Sequence, residues 1–144
     1  MPVKPIPEGR EHIIPILTVN GASKFIDFIK EAFGAEETSR FADPDATVMH
    51  AELRIGDSVI MTSDVNDEFP AVEARLQLYV EDVDSVYQRA LKAGARSLRE
   101  PTDQFYGDRT GGVTDAFGNQ WWLATHIEDV TPEEIGRRAA AQQG

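Results

Sequence analysis

Three observations predict an α+β fold built from two tandem βαβββ modules. The chain contains one pattern twice, each copy carries one amphipathic helix, and each helix is followed by period-two alternation. In the first copy Val19 closes a strand-like run, and Gly34-Ala35 closes a helix-like one. In the second copy Val80 and Gly94-Ala95 do the same about 60 residues further on. A third pair of anchors follows, Ile55-Gly56-Asp57 against Phe117-Gly118-Asn119. Paired modules imply a cleft between them, and a cleft is where a small-molecule site belongs.

The elements follow in order. Residues 1–10 hold three prolines and a glycine and read as an extended arm. A strand is expected over His12 to Val19, then a helix over Ser23 to Phe33. That helix has Phe25, Phe28, Ile29, Ala32 and Phe33 on one stripe, with Gly34 as a left-handed cap. Strands are expected near Glu37–Phe41, Thr47–Ile55 and Ser58–Thr62, turning at Asp43-Pro44-Asp45 and Gly56-Asp57. The second helix carries Val83, Val86, Tyr87, Ala90 and Leu91, with Asp82 and Asp84 as capping acids. Strands near Arg75–Val80, Arg96–Arg99, Thr110–Thr114 and Gln120–Thr125 complete the second copy. The modules are thus 11–63 and 75–126 of a single domain over 11–126, with 64–74 as linker. In the tail, 127–144, Thr131-Pro132-Glu133-Glu134 is a helix-start signature, giving a short helix from Pro132 to about Ala141.

Composition narrows the function classes. With no cysteine among 144 residues, disulfides, thiolate metal sites and a cysteine nucleophile are excluded. A formal charge of −11 argues against nucleic-acid or anionic-membrane partners and is compatible with a cationic ligand. No secretory signal or membrane-length apolar run is read, so a soluble cytoplasmic protein is expected. No nucleophile elbow or phosphate loop occurs, and Gly111-Gly112 reads as relief of crowding in a strand.

Each helix must cover one sheet face, which fixes the other. Leu17, Val19, Leu53, Ile55, Leu76, Leu78, Val80, Trp121 and Leu123 go under helices. Ile14, His50, Glu52, Arg54, Arg75, Gln77, Tyr79 and Trp122 go to the open face, a mixed polar and aromatic surface suited to a small organic molecule. His50 and Glu52, two apart on a strand, are candidates for an acid/base pair; the alternative is a structural bond from Glu52 to Arg54 or Arg75. The segment Asp103–Arg109 is a candidate lid, the alternative being a turn that packs its aromatics as core filler. In it Phe105 and Tyr106 would contact a planar ligand, and Arg109 would bind a carboxylate or pair with Asp108.

The paired modules resemble the vicinal oxygen chelate superfamily, which includes glyoxalase I, fosfomycin- and bleomycin-resistance proteins and extradiol dioxygenases. Seven strings in order are similar to its PhnB-like branch: Glu31-Ala32-Phe33-Gly34-Ala35, His50-Ala51-Glu52, Ile55-Gly56-Asp57, Tyr79-Val80-Glu81-Asp82-Val83-Asp84, Tyr106-Gly107-Asp108-Arg109, Asp115-Ala116-Phe117-Gly118-Asn119-Gln120-Trp121, and Ala124-Thr125-His126-Ile127-Glu128-Asp129-Val130. The resemblance implies eight strands curved into a glyoxalase/bleomycin-resistance-like cup, and a homodimer. In metal-dependent members each of four cup strands offers a His or Glu. The matching positions here are Ile14, Met61, Arg75 and Trp122, none of them a ligand for a hard or borderline divalent ion. No metal and no cofactor are therefore expected, and Ile14 and Met61 join the ligand-contacting set. An unorthodox donor set would be His12, His50, Glu52, His126 and Glu128. The resulting expectation is a metal-free protein binding a small organic molecule in the cup between modules. The alternatives are a metal-dependent lyase, isomerase or dioxygenase of the same superfamily, and a purely structural module.

Overall fold

A computed structural model describes residues 3–143. Two compact units meet in sequence at Glu73 and Ala74, and each repeats one layout. The first has β1 (Ile16–Val19), α1 (Ala22–Phe33), β2 (Glu36–Ala42), β3 (Val48–Ile55) and β4 (Ser58–Asp64). The second has β5 (Arg75–Tyr79), α2 (Val83–Lys92), β6 (Arg96–Asp103), β7 (Asp108–Thr114) and β8 (Gln120–His126), followed by α3 (Pro132–Gln143). Strand order is β1-β4-β3-β2 in one sheet and β5-β8-β7-β6 in the other. In each, the strand before the helix pairs parallel with the last strand, and the other neighbours are antiparallel. The α+β class and the duplicated βαβββ module are thus as the sequence indicates.

Both helices bury their expected stripe. On α1 Phe25, Ile26, Phe28, Ile29, Ala32 and Phe33 are buried, and Gly34 is the left-handed cap at φ 69°. On α2 Val83, Val86, Tyr87 and Ala90 are buried, while Leu91 is only half-buried. The last strand of each module secures the start of its helix, by different chemistry. Asp64 at the end of β4 accepts from Gly21 N and Ala22 N at 3.0 and 2.8 Å, and from Val48 N at 2.8 Å. In the second module Thr125 Oγ1 accepts from Val83 N at 2.9 Å and donates to Val80 O at 2.8 Å. Asp82 caps Ser85 N at 3.2 Å, as expected; Asp84 instead binds Arg109.

The two largest boundary differences from the sequence reading both fall at prolines. β1 begins at Ile16 rather than His12, because Pro15 has no N–H to give and only its carbonyl joins the ladder, accepting from Met61 N. β6 continues past Arg99 to Asp103, because its register with β7 shifts between Arg99 and Thr102 and so accommodates Pro101. Gly111 is the residue that makes room: a Cβ there would lie 3.1 Å from Pro101 N.

The string Asp115 to Trp121 proves to be a turn lock. Buried Asp115 accepts from Phe117 N, Asn119 N and Trp121 Nε1 at 2.8, 3.0 and 2.9 Å. Fully buried Asn119 accepts from Ala74 N at 2.9 Å, tying the entry of β5 to the entry of β8. Trp121 is therefore a core residue at 2% exposure, and its neighbour Trp122 projects from the opposite face. Among the described residues no helix is long and apolar enough to cross a membrane.

Candidate functional site

Alternation along β5 and β8 puts Arg75, Gln77 and Trp122 on the face of the second sheet away from α2. There they line a depression of about 230 Å³ with Arg99, Tyr106, Thr110, Leu123 and Ala124. Trp122 forms its floor. The indole lies across Gly112, its cross-strand partner on β7, and a Cβ on Gly112 would fall 2.6–2.8 Å from three ring carbons. The glycine pair thus relieves crowding at two places, against Pro101 and under Trp122. The Trp122 Nε1 donates to Gln120 Oε1 at 3.1 Å, which fixes the plane of the ring.

Two guanidinium groups flank that ring. The Arg99 Cζ is 4.9 Å from the ring centroid and that of Arg75 is 5.9 Å away, both within cation–π range. Arg99 Nη2 donates to Thr110 Oγ1 at 2.6 Å. Neither arginine has a carboxylate partner among the described residues, although Arg109 and Arg138 in the same module have two each.

One wall of this depression is fastened from outside. The segment read as a lid or a packed turn is a short turn, Gln104 to Gly107, between β6 and β7. The Gly107 carbonyl accepts from both Ile127 N and Glu128 N, at 2.9 and 3.0 Å, and the Phe105 carbonyl accepts from Arg138 Nη1 at 3.1 Å. Gly107 has φ 100°, and a Cβ there would sit 2.2 Å from Glu128 O. The tail and α3 therefore clamp the turn, α3 through Arg138, which also grips Glu128 and Glu134. Tyr106 reaches the depression; Phe105 packs edge-on against it with centroids 5.2 Å apart and does not line it.

Arg109 is also outside. β7 alternation sends Asp108 and Thr110 to the open face and Arg109 to the side of α2, where Asp84 takes its Nε and Nη2 and Asp103 its Nη1. Those bonds hold Asp84 below, and Arg109 above, their ordinary titration ranges. Asp108 itself is engaged by other groups: Tyr79 donates to Oδ2 at 2.6 Å and the His126 Nδ1 meets Oδ1 at 2.8 Å. The His126 Nε2 meets Asp129 at 2.7 Å. Burial works to raise the Asp108 pKa, but the bonds from Tyr79 and His126 prevail and hold it down. His126 is raised by Asp108 first and Asp129 second, and Tyr79 is raised mainly by Asp108.

The first module presents a different surface. Its depression, about 430 Å³, is bounded by Pro5, Ile6, Pro7, Arg10, Glu11 and His12 of the arm together with Ile14 and Met61. The arm is anchored by Arg10, whose guanidinium is ion-paired with Glu52; Thr38 Oγ1 donates to the other Glu52 oxygen at 2.9 Å. Arg10 is the main cause holding the Glu52 carboxyl below its usual range. The partner of Glu52 is thus neither Arg54 nor Arg75, and no hydrogen bond joins it to half-buried His50 among the described residues. Glu52 is thus held as a carboxylate by Arg10 and Thr38, with His50 near enough to add a smaller electrostatic contribution.

The sequence reading brought Arg75, Gln77, Trp122 and Tyr106 to one depression and missed Arg99 and Thr110. Alternation from Ser97, which bonds Tyr87 of α2, puts Arg99 on the helix side; the register shift between Ser97 and Arg99 turns it to the open face opposite Gly112.

The family model for the Glyoxalase/Bleomycin resistance protein/Dioxygenase superfamily matches residues 10–123, so the chain belongs to that superfamily. It is 37% identical to the uncharacterized protein Mb0911c of Mycobacterium bovis, over 90% of this chain and 92% of that one. Its fold is similar to that of TioX from Micromonospora sp. ML1, with TM-score 0.69 and 23% identity over 82% of this chain and 100% of that one. It is also similar to the PhnB protein from Bacillus cereus, with TM-score 0.61 and 22% identity over 80% and 99%.

The donor chemistry does not fit the divalent ion used by metal-dependent members. Ile14 and Met61 line one depression, Arg75 and Trp122 the other, and a fixed guanidinium repels a cation. Three of the five unorthodox donors are otherwise engaged: Arg10 holds Glu52, two aspartates hold His126, and Arg138 holds Glu128. Among the described residues no group of three or more His, Asp or Glu converges as a metal site.

Proposed function

We propose that this protein is a metal-free member of the superfamily that binds a small organic molecule on the open face of its second module. The observation that carries this is Trp122. A half-buried indole lies over a glycine, at the floor of a depression with polar walls, beside a clamped aromatic turn. A rigid ring of this kind offers stacking area at little entropic cost. The same reading takes the protein as a PhnB-like, cytoplasmic homodimer. The seven ordered strings and the likeness to the B. cereus PhnB fold support the lineage.

Thermal-shift screening against small aromatic compounds tests the proposal. A ligand present at 100 times its Kd stabilises the native state by about 2.7 kcal/mol. The shift should vanish in Trp122→Ala while the variant stays folded. A hit whose shift survives in Trp122→Ala would place binding elsewhere. A divalent ion bound one per chain to untagged protein, with an activity lost on its removal, would replace this reading by a metal-dependent enzyme.

A further inference from the structure

We infer that the second-module depression selects an oxyanion: a compound of about one ring bearing a carboxylate or a chemically similar group. The inference rests on the binding function proposed for this face and names its ligand class.

Charge is the first ground. Among the described residues Arg54, Arg75, Arg89, Arg96 and Arg99 have no carboxylate partner, and of these only Arg75 and Arg99 line the depression. Arg109 and Arg138 each hold two. Arg75 and Arg99 hold none among the described residues, and both stand over the same indole. The acid on this face of β7, Asp108, is already satisfied by Tyr79 and His126. Arg99 spends one Nη2 hydrogen on Thr110 and keeps its other donors. A guanidinium with free donors is the side chain best matched to a planar oxyanion. The whole-molecule charge of −11 favours cations at a distance, but that field is screened over about 8 Å in physiological salt, well beyond contact range. At the site the two arginines decide.

Size and shape are the second ground. A depression of about 230 Å³ equals the liquid volume of roughly eight waters at about 30 Å³ each, which suits one substituted ring. Stacking on Trp122 places the ring. Gln77 and Thr110 line the same space and supply polar contacts at its edge.

The test uses the full chain and three probes of one shape and different charge: benzoate, benzamide and benzamidinium. Binding is followed by tryptophan fluorescence. Benzoate is expected to bind with Kd on the order of 1 mM or tighter, benzamide at least roughly tenfold more weakly, and benzamidinium not at all. Arg75→Gln and Arg99→Gln should each weaken benzoate roughly tenfold and leave benzamide unchanged, with Arg99→Lys restoring part of the loss. Both arginines are exposed, so circular dichroism should show folded variants; should one fail to fold, the decline of benzoate affinity with added salt in the native chain replaces it. Benzamidinium binding as well as benzoate, or benzoate ignoring both arginine variants, overturns the inference. Equal binding of benzoate and benzamide, with the thermal shift from both lost in Trp122→Ala, removes the charge preference but keeps the binding face. Failure of all three probes removes both.

Discussion

The Trp122 indole rests on the bare backbone of Gly112, and a single methyl there would meet Cζ3 at 2.6 Å. The sheet offers nowhere below for the ring to go, so Gly112→Ala must push it upward into the depression. The expected cost is about 1–3 kcal/mol, as for overpacking. Chemical denaturation measures it, and the double variant Gly112→Ala/Trp122→Ala should recover most of the loss.

The two adjacent tryptophans should respond in opposite ways to one substitution. Trp121→Phe leaves the buried Oδ2 of Asp115 without its donor and should destabilise by about 1–3 kcal/mol. Trp122→Phe removes a bond to half-buried Gln120 and should change stability by roughly 0.5 kcal/mol or less, while weakening any ligand. Equal destabilisation by the two would contradict the faces assigned to them.

The His126–Asp108 pair gives a pH signature whose sign is fixed. His126 is raised above its ordinary 6.5, so its contribution is complete below that pH and fades as pH rises through the folded value. Asp108 is lowered below its ordinary 3.8, so its contribution is present above that pH and fades on acidification. The stability difference between the native chain and His126→Asn should therefore be largest between about pH 4 and 6.5 and shrink on both sides. Urea melts across that range check it, and an NMR titration should place the His126 pKa above 6.5.

Arg10 governs Glu52 from the arm. In Arg10→Ala the Glu52 carboxyl should titrate higher than in the native chain, because the leading cause of its depression is gone. A carboxyl-detected NMR titration reads this directly; an unchanged value would mean that Thr38 alone holds the charge.

The repeat, both helix stripes, the face of Trp122 and the role of the glycine pair were legible in the sequence because each depends on residues a few positions apart. Periodicity assigns a side to every strand residue, and it put Arg75, Gln77 and Trp122 together. What it does not carry is pairing at a distance. Arg10 reaches Glu52, Arg109 reaches Asp84, and Arg138 reaches Phe105 across 33 positions. The supposed lid illustrates the point. Composition leaves Asp103–Arg109 open between a lid and a packed turn, and the bonds from the distant tail to the Gly107 carbonyl are what make it a fastened turn. Arg99 is hidden for a different reason: Ser97 faces α2 through Tyr87, plain alternation would send Arg99 the same way, and only the register shift between Ser97 and Arg99 turns it to the open face.

The most direct measurement exploits the chain having two tryptophans. A proton–nitrogen NMR spectrum gives one indole signal from each, assigned by Trp122→Phe. Titrating a bound aromatic ligand should move the Trp122 signal progressively and leave that of Trp121, buried and bonded to Asp115, in place. A ligand that binds while the Trp122 signal stays still would show that this face is not where the protein acts.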